Sequence, residues 1–305
     1  ANAYGHGLNA IEAFSAADEF AVSSIREALD ICERTDKPVN ILSLPDKTVE
    51  CRYDAGIYPS VATREDIEFA AARGARSVNI KLNSGMNRYG AEPTRLGELL
   101  RATERARLSV KSVFSHIYDT AEAVRQFSVF MESVHPYRDS IPQKHILSGN
   151  FVRLPSYMHL DMVRPGLVLY GYGHECVQPA IRAVCGITQV RRVCKGENIG
   201  YGQWKSEIDR TVAVLGAGYG DGVRRIAGNT PRYVEIGGRL CPIVGQICMD
   251  AMMADVSGLA VKAGDAAIVL GRLYGCEAVA VACDTIPYEI CTAVSARVQR
   301  FYSDK

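Results

Sequence analysis

No two of the ten cysteines stand in a C-x-x-C spacing, which removes the usual signature of a zinc ribbon or a thioredoxin-like redox site. Most sit inside apolar runs such as Ala183-Val184-Cys185, the setting of buried, reduced thiols in a reducing compartment. No apolar run approaches the ~18 residues that suggest a membrane-spanning helix, and the opening residues lack a signal-peptide pattern. Charge of one sign is not in excess either. The 35 basic and 34 acidic side chains leave a formal charge of +1, so nothing advertises nucleic acid or an anionic membrane as a partner. Internal repeats and low-complexity segments are missing. These absences lead us to expect a cytoplasmic globular chain with no metal centre, no nucleic-acid partner and no membrane segment.

The 305 residues, 48% of them hydrophobic, suffice for two domains or for one large barrel with an appendage. From residue 20 to 170, short apolar runs alternate with helix-period segments. The runs are Phe20–Val22, Val39–Leu44, Gly56–Val61, Ser77–Leu82, Leu108–Phe114, Lys144–Leu147 and Met162–Tyr170. Helical periodicity lies between them at Ser23–Glu33, Arg64–Ala72, Arg95–Ala106 and Thr120–Val134. Such alternation predicts βα units on a parallel sheet. Seven strands are one short of an eight-stranded barrel, and an open doubly wound sheet is the alternative. Beyond residue 175 the pattern turns to short runs split by glycine turns, which predicts a β-rich second domain with strands at Val190–Cys194, Thr211–Leu215, Tyr233–Ile236, Ile243–Cys248, Ala251–Val256 and Ala266–Leu270. The closing stretch 285–296 reads as partly helical. The expected domains are therefore 1–175, an α/β barrel, and 176–305, mainly β.

Parallel barrels carry their active sites at the C-terminal ends of the strands. Four consecutive expected strands end in polar groups: Lys81 to Arg88, Ser115-His116, Ser148-Gly149-Asn150, and Arg164-Pro165-Gly166. Each alone has a plain structural reading, since a lone His is usually a satisfied structural residue and Ser-Gly-Asn an ordinary turn. Four together point to a site.

The opening Ala1-Asn2-Ala3-Tyr4-Gly5-His6-Gly7, with Lys81–Arg88, Phe114–His116, Asp161–Gly171, Gly200-Tyr201-Gly202, Gly218–Gly222, Pro242–Asp250 and Thr285–Glu289, resembles the motifs of alanine racemases, in that family's order. The resemblance implies an isomerase that uses pyridoxal 5'-phosphate (PLP) on a (β/α)8 barrel whose first strand, with the Schiff-base lysine, is expected immediately before Ala1. It implies that Tyr4, Ser148, Gly149, Gly166, Leu167 and Tyr288 surround the cofactor phosphate. Arg164 is implied to face the pyridine nitrogen, and His116 to lie beside the ring and to bond Tyr201. Arg88 is implied to meet the cofactor's phenolic oxygen and the substrate carboxylate, with Lys81, carried as a carbamate in some members, positioning it. Tyr201 is the expected second base of a two-base (Lys/Tyr) exchange at Cα, its phenol assisted by cationic neighbours such as His116 and Arg164. Tyr219, Met249 and Asp250 match the substrate end. In the family Tyr201 and these three come from the partner subunit, so a homodimer with shared sites is implied. Supply of D-alanine to a bacterial cell wall is the implied role.

Several positions depart from the pattern. Gly149 stands where a phosphate-binding Ser is usual and Ser148 where Asn is usual, Asn83 replaces a common Asp, and Gly220 a common Ala. Two alternatives stay open: the serine racemase domain of a vancomycin-resistance-type protein, and a non-catalytic PLP-binding protein. The serine racemases are similar to a group with Asn where Tyr288 stands, so Tyr288 favours alanine; a pocket difference of one methylene is worth only ~1–3 kcal/mol.

Overall fold

The computed structural model describes residues 11–225 and 231–302, which belong to two compact units, Ala1–Gly166 and Leu167–Lys305. Tyr4 lies outside the described residues.

In the first unit strands and helices alternate: β1 (Phe20–Val22), α1 (Ile25–Cys32), β2 (Val39–Ile41), β3 (Ile57–Tyr58), β4 (Ser60–Val61), α2 (Arg64–Ala72), β5 (Ser77–Lys81), α3 (Leu96–Arg105), β6 (Ser109–Phe114), α4 (Ala123–Val134) and β7 (Gln143–His145). Every strand pair is parallel, in the orders β1-β2-β3 and β4-β5-β6-β7. Only Pro59 separates β3 from β4. Lacking an N–H, it breaks the ladder on its donor side, while its carbonyl still accepts from the Asn79 N–H at 2.9 Å. Helices α1 and α2 begin at reciprocal capping boxes, Ser24 with Glu27 and Thr63 with Asp66, which satisfy orphan amide donors of each first turn. The core packs helix faces onto the sheets through Ala28, Ile31, Ile67, Ala70, Leu96 and Leu99. This is the β/α barrel architecture expected from the alternation. The last expected strand, Met162–Tyr170, takes a different form. A single parallel bridge joins Ser148 to Arg164, and Leu167–Tyr170 is a 3₁₀ turn, because Pro165 cannot donate to a ladder.

The second unit holds one antiparallel sheet, ordered β11-β10-β13-β8-β9-β12. Its strands are β8 (Ala183–Val193), β9 (Arg210–Leu215), β10 (Tyr233–Ile236), β11 (Arg239–Pro242), β12 (Met252–Asp255) and β13 (Ala266–Leu270). The edges meet where Ile243 bridges Ala254 and the Val244 N–H donates to the Met253 carbonyl at 2.8 Å. The expected strand Ile243–Cys248 is thus displaced. Gly237 and Gly238, both at positive φ, turn a tight hairpin that pairs Ile236 with Arg239 and places the strand before residue 243. Two short helices follow, α5 (Cys276–Ala282), which the periodicity did not suggest, and α6 (Pro287–Ala293), which it did.

All ten cysteines are free, but only Cys241, Cys276 and Cys291 are fully buried; Cys176 and Cys194 are exposed. The expectation of generally buried thiols therefore holds for a minority. No helix among the described residues is long and apolar enough to cross a membrane.

Candidate active site

Parallel register places Lys81 beside Phe114 and Phe114 beside His145, so β5, β6 and β7 end at one level. The Ser148–Arg164 bridge continues that level across the next connection. Lys81, His116, Ser148, Gly149 and Arg164 are thereby gathered at the C-terminal ends of adjacent strands.

Arg164 is the centre of this group and is 8% exposed. One Nη donates to the carbonyls of Ser115, at 2.8 Å, and Ile146, at 3.2 Å. The other meets Nδ1 of His145, and the guanidinium lies 5.3 Å from the centre of the Phe114 ring. Its Nε is buried with no hydrogen-bond partner among the described residues. Burial pulls the guanidinium down to about 9, still charged at neutrality.

His145 is held by a polar chain through the unit's interior that composition did not reveal. Glu19 accepts from Asn40 at 2.7 Å, Asn79 donates to the Asn40 carbonyl oxygen at 2.9 Å, and Ser112 donates to the Asn79 carbonyl oxygen at 2.6 Å. With its own proton given to Asn79, the Ser112 hydroxyl can only accept from His145 Nε2, 3.2 Å away. That fixes a neutral imidazole with the proton on Nε2 and a lone pair on Nδ1 for Arg164. Burial, then Arg164 and Lys111, push His145 well below its usual value. A sequence signal existed: Asn40, Asn79 and Ser112 stand inside the expected strands, and all three are buried.

His116 lies with its ring nitrogens 3.2 and 3.4 Å from the Ser148 hydroxyl. Its pKa is lowered to about 3 by burial and then by Arg164, Arg88 and Lys81. The expectation that His116 supplies a cation is therefore corrected: with three cations nearby, a fourth charge is unfavourable and the ring stays neutral.

Lys81 is buried and donates to the Leu42 carbonyl at 2.8 Å. Burial, followed by Arg88 and Arg164, lowers its pKa to about 8. Its Nζ and the Arg88 guanidinium both lie over the Tyr89 ring, at 5.1 and 5.8 Å. Arg88 itself is exposed, on a loop whose shape Asn83 fixes by accepting from the Gly85 and Asn87 amides at 3.1 and 3.0 Å. Asn at 83 thus performs the loop's acceptor role without the charge of an Asp. Gly149 sits at φ +55° and donates its amide to the Arg164 carbonyl at 2.9 Å. Gly166 is half-buried, and Leu167 is buried at the start of its 3₁₀ turn.

The remaining candidates lie in the second unit. Tyr201 tops a hairpin closed by Ile199 and Trp204, between Gly200 and Gly202, both at positive φ, and is 71% exposed. Tyr219, Met249 and Asp250 come together on two loops joined by the amides of Tyr219 and Gly220, which donate to the carbonyls of Cys248, at 3.0 Å, and Met249, at 2.8 Å. Arg297, which the sequence reading overlooked, clamps the same loops by reaching Asp221 at 2.8 Å and Asp250 at 2.7 Å. Gly220 accommodates that clamp, since a Cβ there would come within 2.8 Å of Arg297 Nη2. Tyr288 is half-buried in the first turn of α6.

This arrangement has relatives. The family descriptions "Alanine racemase, N-terminal domain" and "Alanine racemase, C-terminal domain" match residues 1–174 and 180–302. The alanine racemase of Deinococcus radiodurans is 33% identical over 323 residues, covering 98% of this chain and 90% of its own length. Among solved structures, the alanine racemase of Clostridium difficile 630 superposes with a TM-score of 0.88 at 27% identity, over 97% of this chain and 85% of that one. The alanine racemase of Bartonella henselae, solved with covalently bound pyridoxal phosphate, gives a TM-score of 0.86 at 25% identity over 99% and 90%. A parallel barrel whose strand ends converge on a buried arginine, followed by an antiparallel β unit, and matched end to end by both family descriptions, is one protein type: the chain belongs to the alanine racemase family.

Proposed function

We propose that the protein interconverts L- and D-alanine as a PLP-dependent isomerase, acting as a cytoplasmic homodimer, with 1–175 carrying the cofactor and 176–305 completing the partner's site. The observation that carries the reading is Arg164, a buried guanidinium whose Nε has no partner among the described residues. A buried N–H donor without an acceptor is unfavourable by about 1–3 kcal/mol, and a ring nitrogen would relieve it. The surroundings fit the rest of the cofactor. Among the described residues neither Lys81 nor Arg164 is offset by a carboxylate, which suits a dianionic phosphate, and the Ser148 hydroxyl and Gly149 turn offer a polar cradle without side-chain bulk.

When bound, PLP supplies the electron sink that acidifies the α-proton of the amino acid. Arg164, charged but a poor proton source, would face the ring nitrogen and leave it unprotonated. Neutral His145 keeps Arg164 oriented, and neutral His116 would lie beside the ring. Ser148, Gly149, Gly166, Leu167 and Tyr288 would hold the phosphate, with Tyr4, outside the described residues, expected beside them. Arg88 orients the substrate carboxylate, with Tyr219, Met249 and Asp250 shaping that end. The Tyr201 phenol moves a proton on one face of Cα, and the family's lysine does so on the other. Lys81, with a pKa of about 8, is roughly one-quarter neutral near pH 7.5, the form that adds carbon dioxide. Carbamylation would turn it into an anion able to position Arg88.

The test is deuterium incorporation at Cα when the full-length protein, loaded with PLP, turns over alanine in heavy water. Exchange with L- and D-alanine is expected, and faster than with serine. Faster serine exchange would assign the protein to serine racemases. PLP binding without exchange of either would make it a non-catalytic PLP-binding protein.

A further inference from the structure

Behind the 218–222 turn the second unit holds a partly open cavity of about 210 Å³, lined by none of the residues assigned above to cofactor or substrate. Much of its wall is apolar, including Val269, Leu270, Val279, Ile290, Val294 and Val298. Three charged side chains also reach it: Asp221, Arg224 and Arg232. Two have partners of their own. Asp221 accepts from Arg297 and from the Gly218 amide, and Arg224 pairs with Glu289.

Arg232 differs. It is 8% exposed, one Nη donates to the Arg224 carbonyl, the Cys283 thiol lies against it, and no carboxylate among the described residues offsets its charge. Burial lowers its pKa. Tyr274, on the same wall, is also 8% exposed. Its ring packs edge-on against Tyr233 at 5.7 Å, and its hydroxyl is buried with no hydrogen-bond partner among the described residues. The two side chains are near enough to interact electrostatically.

A buried cation without a carboxylate partner and a buried hydroxyl without an acceptor, as Arg232 and Tyr274 are among the described residues, are each unfavourable. One anion with two acceptor oxygens would relieve both. We propose that this cavity binds a small monocarboxylate with a short apolar tail, its oxygens on Arg232 and Tyr274 and its tail against Val279 and Ile290. The size agrees: a cavity of about 150 Å³ admits benzene, so about 210 Å³ takes an acid of roughly six carbons. An alcohol of the same length would leave Arg232 unpaired, and an amine would meet it with like charge.

The test is calorimetric titration of the holoenzyme with hexanoate, in the presence of saturating alanine, with 1-hexanol and hexylamine compared. Saturable hexanoate binding that alanine does not displace is expected, at least tenfold tighter than hexanol and with none for hexylamine. Tyr274→Phe removes a hydroxyl with no hydrogen-bond partner among the described residues, so it should leave thermal stability unchanged while raising the hexanoate Kd about tenfold, as expected for a lost hydrogen bond to a charged group. Val279→Phe should fill the cavity and abolish binding. Displacement by alanine, equal binding of hexanol, an unchanged Kd in Tyr274→Phe, or no saturable binding would each overturn the proposal. Both variants decide it even for a preparation without racemase activity.

Discussion

His116 offers the sharpest check on the electrostatics of the barrel site. Its folded pKa is lowered to about 3 by burial, Arg164, Arg88 and Lys81, against about 6.5 in the unfolded chain. The sign follows directly. Above 6.5 neither state binds the proton, so the full stability is present. As pH falls through 6.5 the unfolded chain takes up a proton that the folded ring refuses, and stability is lost until about pH 3. Between pH 6.5 and 5.0 this single group should remove about 1.7 kcal/mol. Hydrogen exchange at β6 and β7 amides, corrected for intrinsic rates, reads the first unit alone; the single tryptophan, Trp204, lies in the second. His116→Gln should reduce the acid-induced loss by that amount, and the His116 Cε1 proton should show no titration between pH 7 and 5. An unchanged pH dependence in the variant, or an imidazole titrating near 6.5, would refute the idea that neighbouring cations keep the ring neutral.

Lys81 should act at the opposite end of the scale. Its folded pKa of about 8 lies below the unfolded value, so its charge destabilises the fold at neutral pH and the penalty fades as pH rises from 8 to 10.5. Under carbon dioxide-free buffer, Lys81→Met should abolish a rise of up to about 3 kcal/mol in exchange-derived stability across that window. Gly218→Ala would drive a Cβ into the Cys248 and Met249 carbonyls; we expect a loss of about 1–3 kcal/mol and a raised KM for alanine, seen by denaturation and steady-state kinetics. Arg297→Met should leave stability almost unchanged, because both ion pairs are partly exposed, yet raise KM several-fold as Asp250 loses its anchor; an unchanged KM would separate the clamp from the substrate site. Tyr201→Phe should lower kcat at least ~10²-fold with PLP absorbance retained, and comparable turnover would remove Tyr201 from the proton path.

The strand–helix alternation was legible because parallel strands buried on both faces read as apolar runs, and the helix spans came within a few residues for the same reason. The runs failed where one residue changes the backbone's options. Pro165 ends the expected strand at Met162–Tyr170, and the Gly237-Gly238 hairpin shifts the pairing from 243–248 to 239–242. Helix α5 went unseen because Cys276–Ala282, rich in alanine and valine, has no polar face to mark its period. The cysteines were misjudged because flanking apolarity does not say which side of a strand faces the core; Cys194, just beyond β8, points to solvent.

What the sequence determined by itself was an inventory: which charged and polar groups stand at strand ends, in what order, and that the net charge of +1 carries no excess of either sign. Arg164, His116 and Ser148 could be singled out because the chain places them where parallel strands stop. Their ionisation and partnership needed three dimensions. The proton on His145 is set by Ser112, 33 residues away in sequence, and Ser112 is set by Asn79, 33 residues earlier again. A pKa depends on the local dielectric and on charges within a few ångströms, and both are properties of packing; only the folded unit could turn three adjacent cations into a neutral His116, a Lys81 with a pKa of about 8 and an arginine whose Nε has no partner among the described residues.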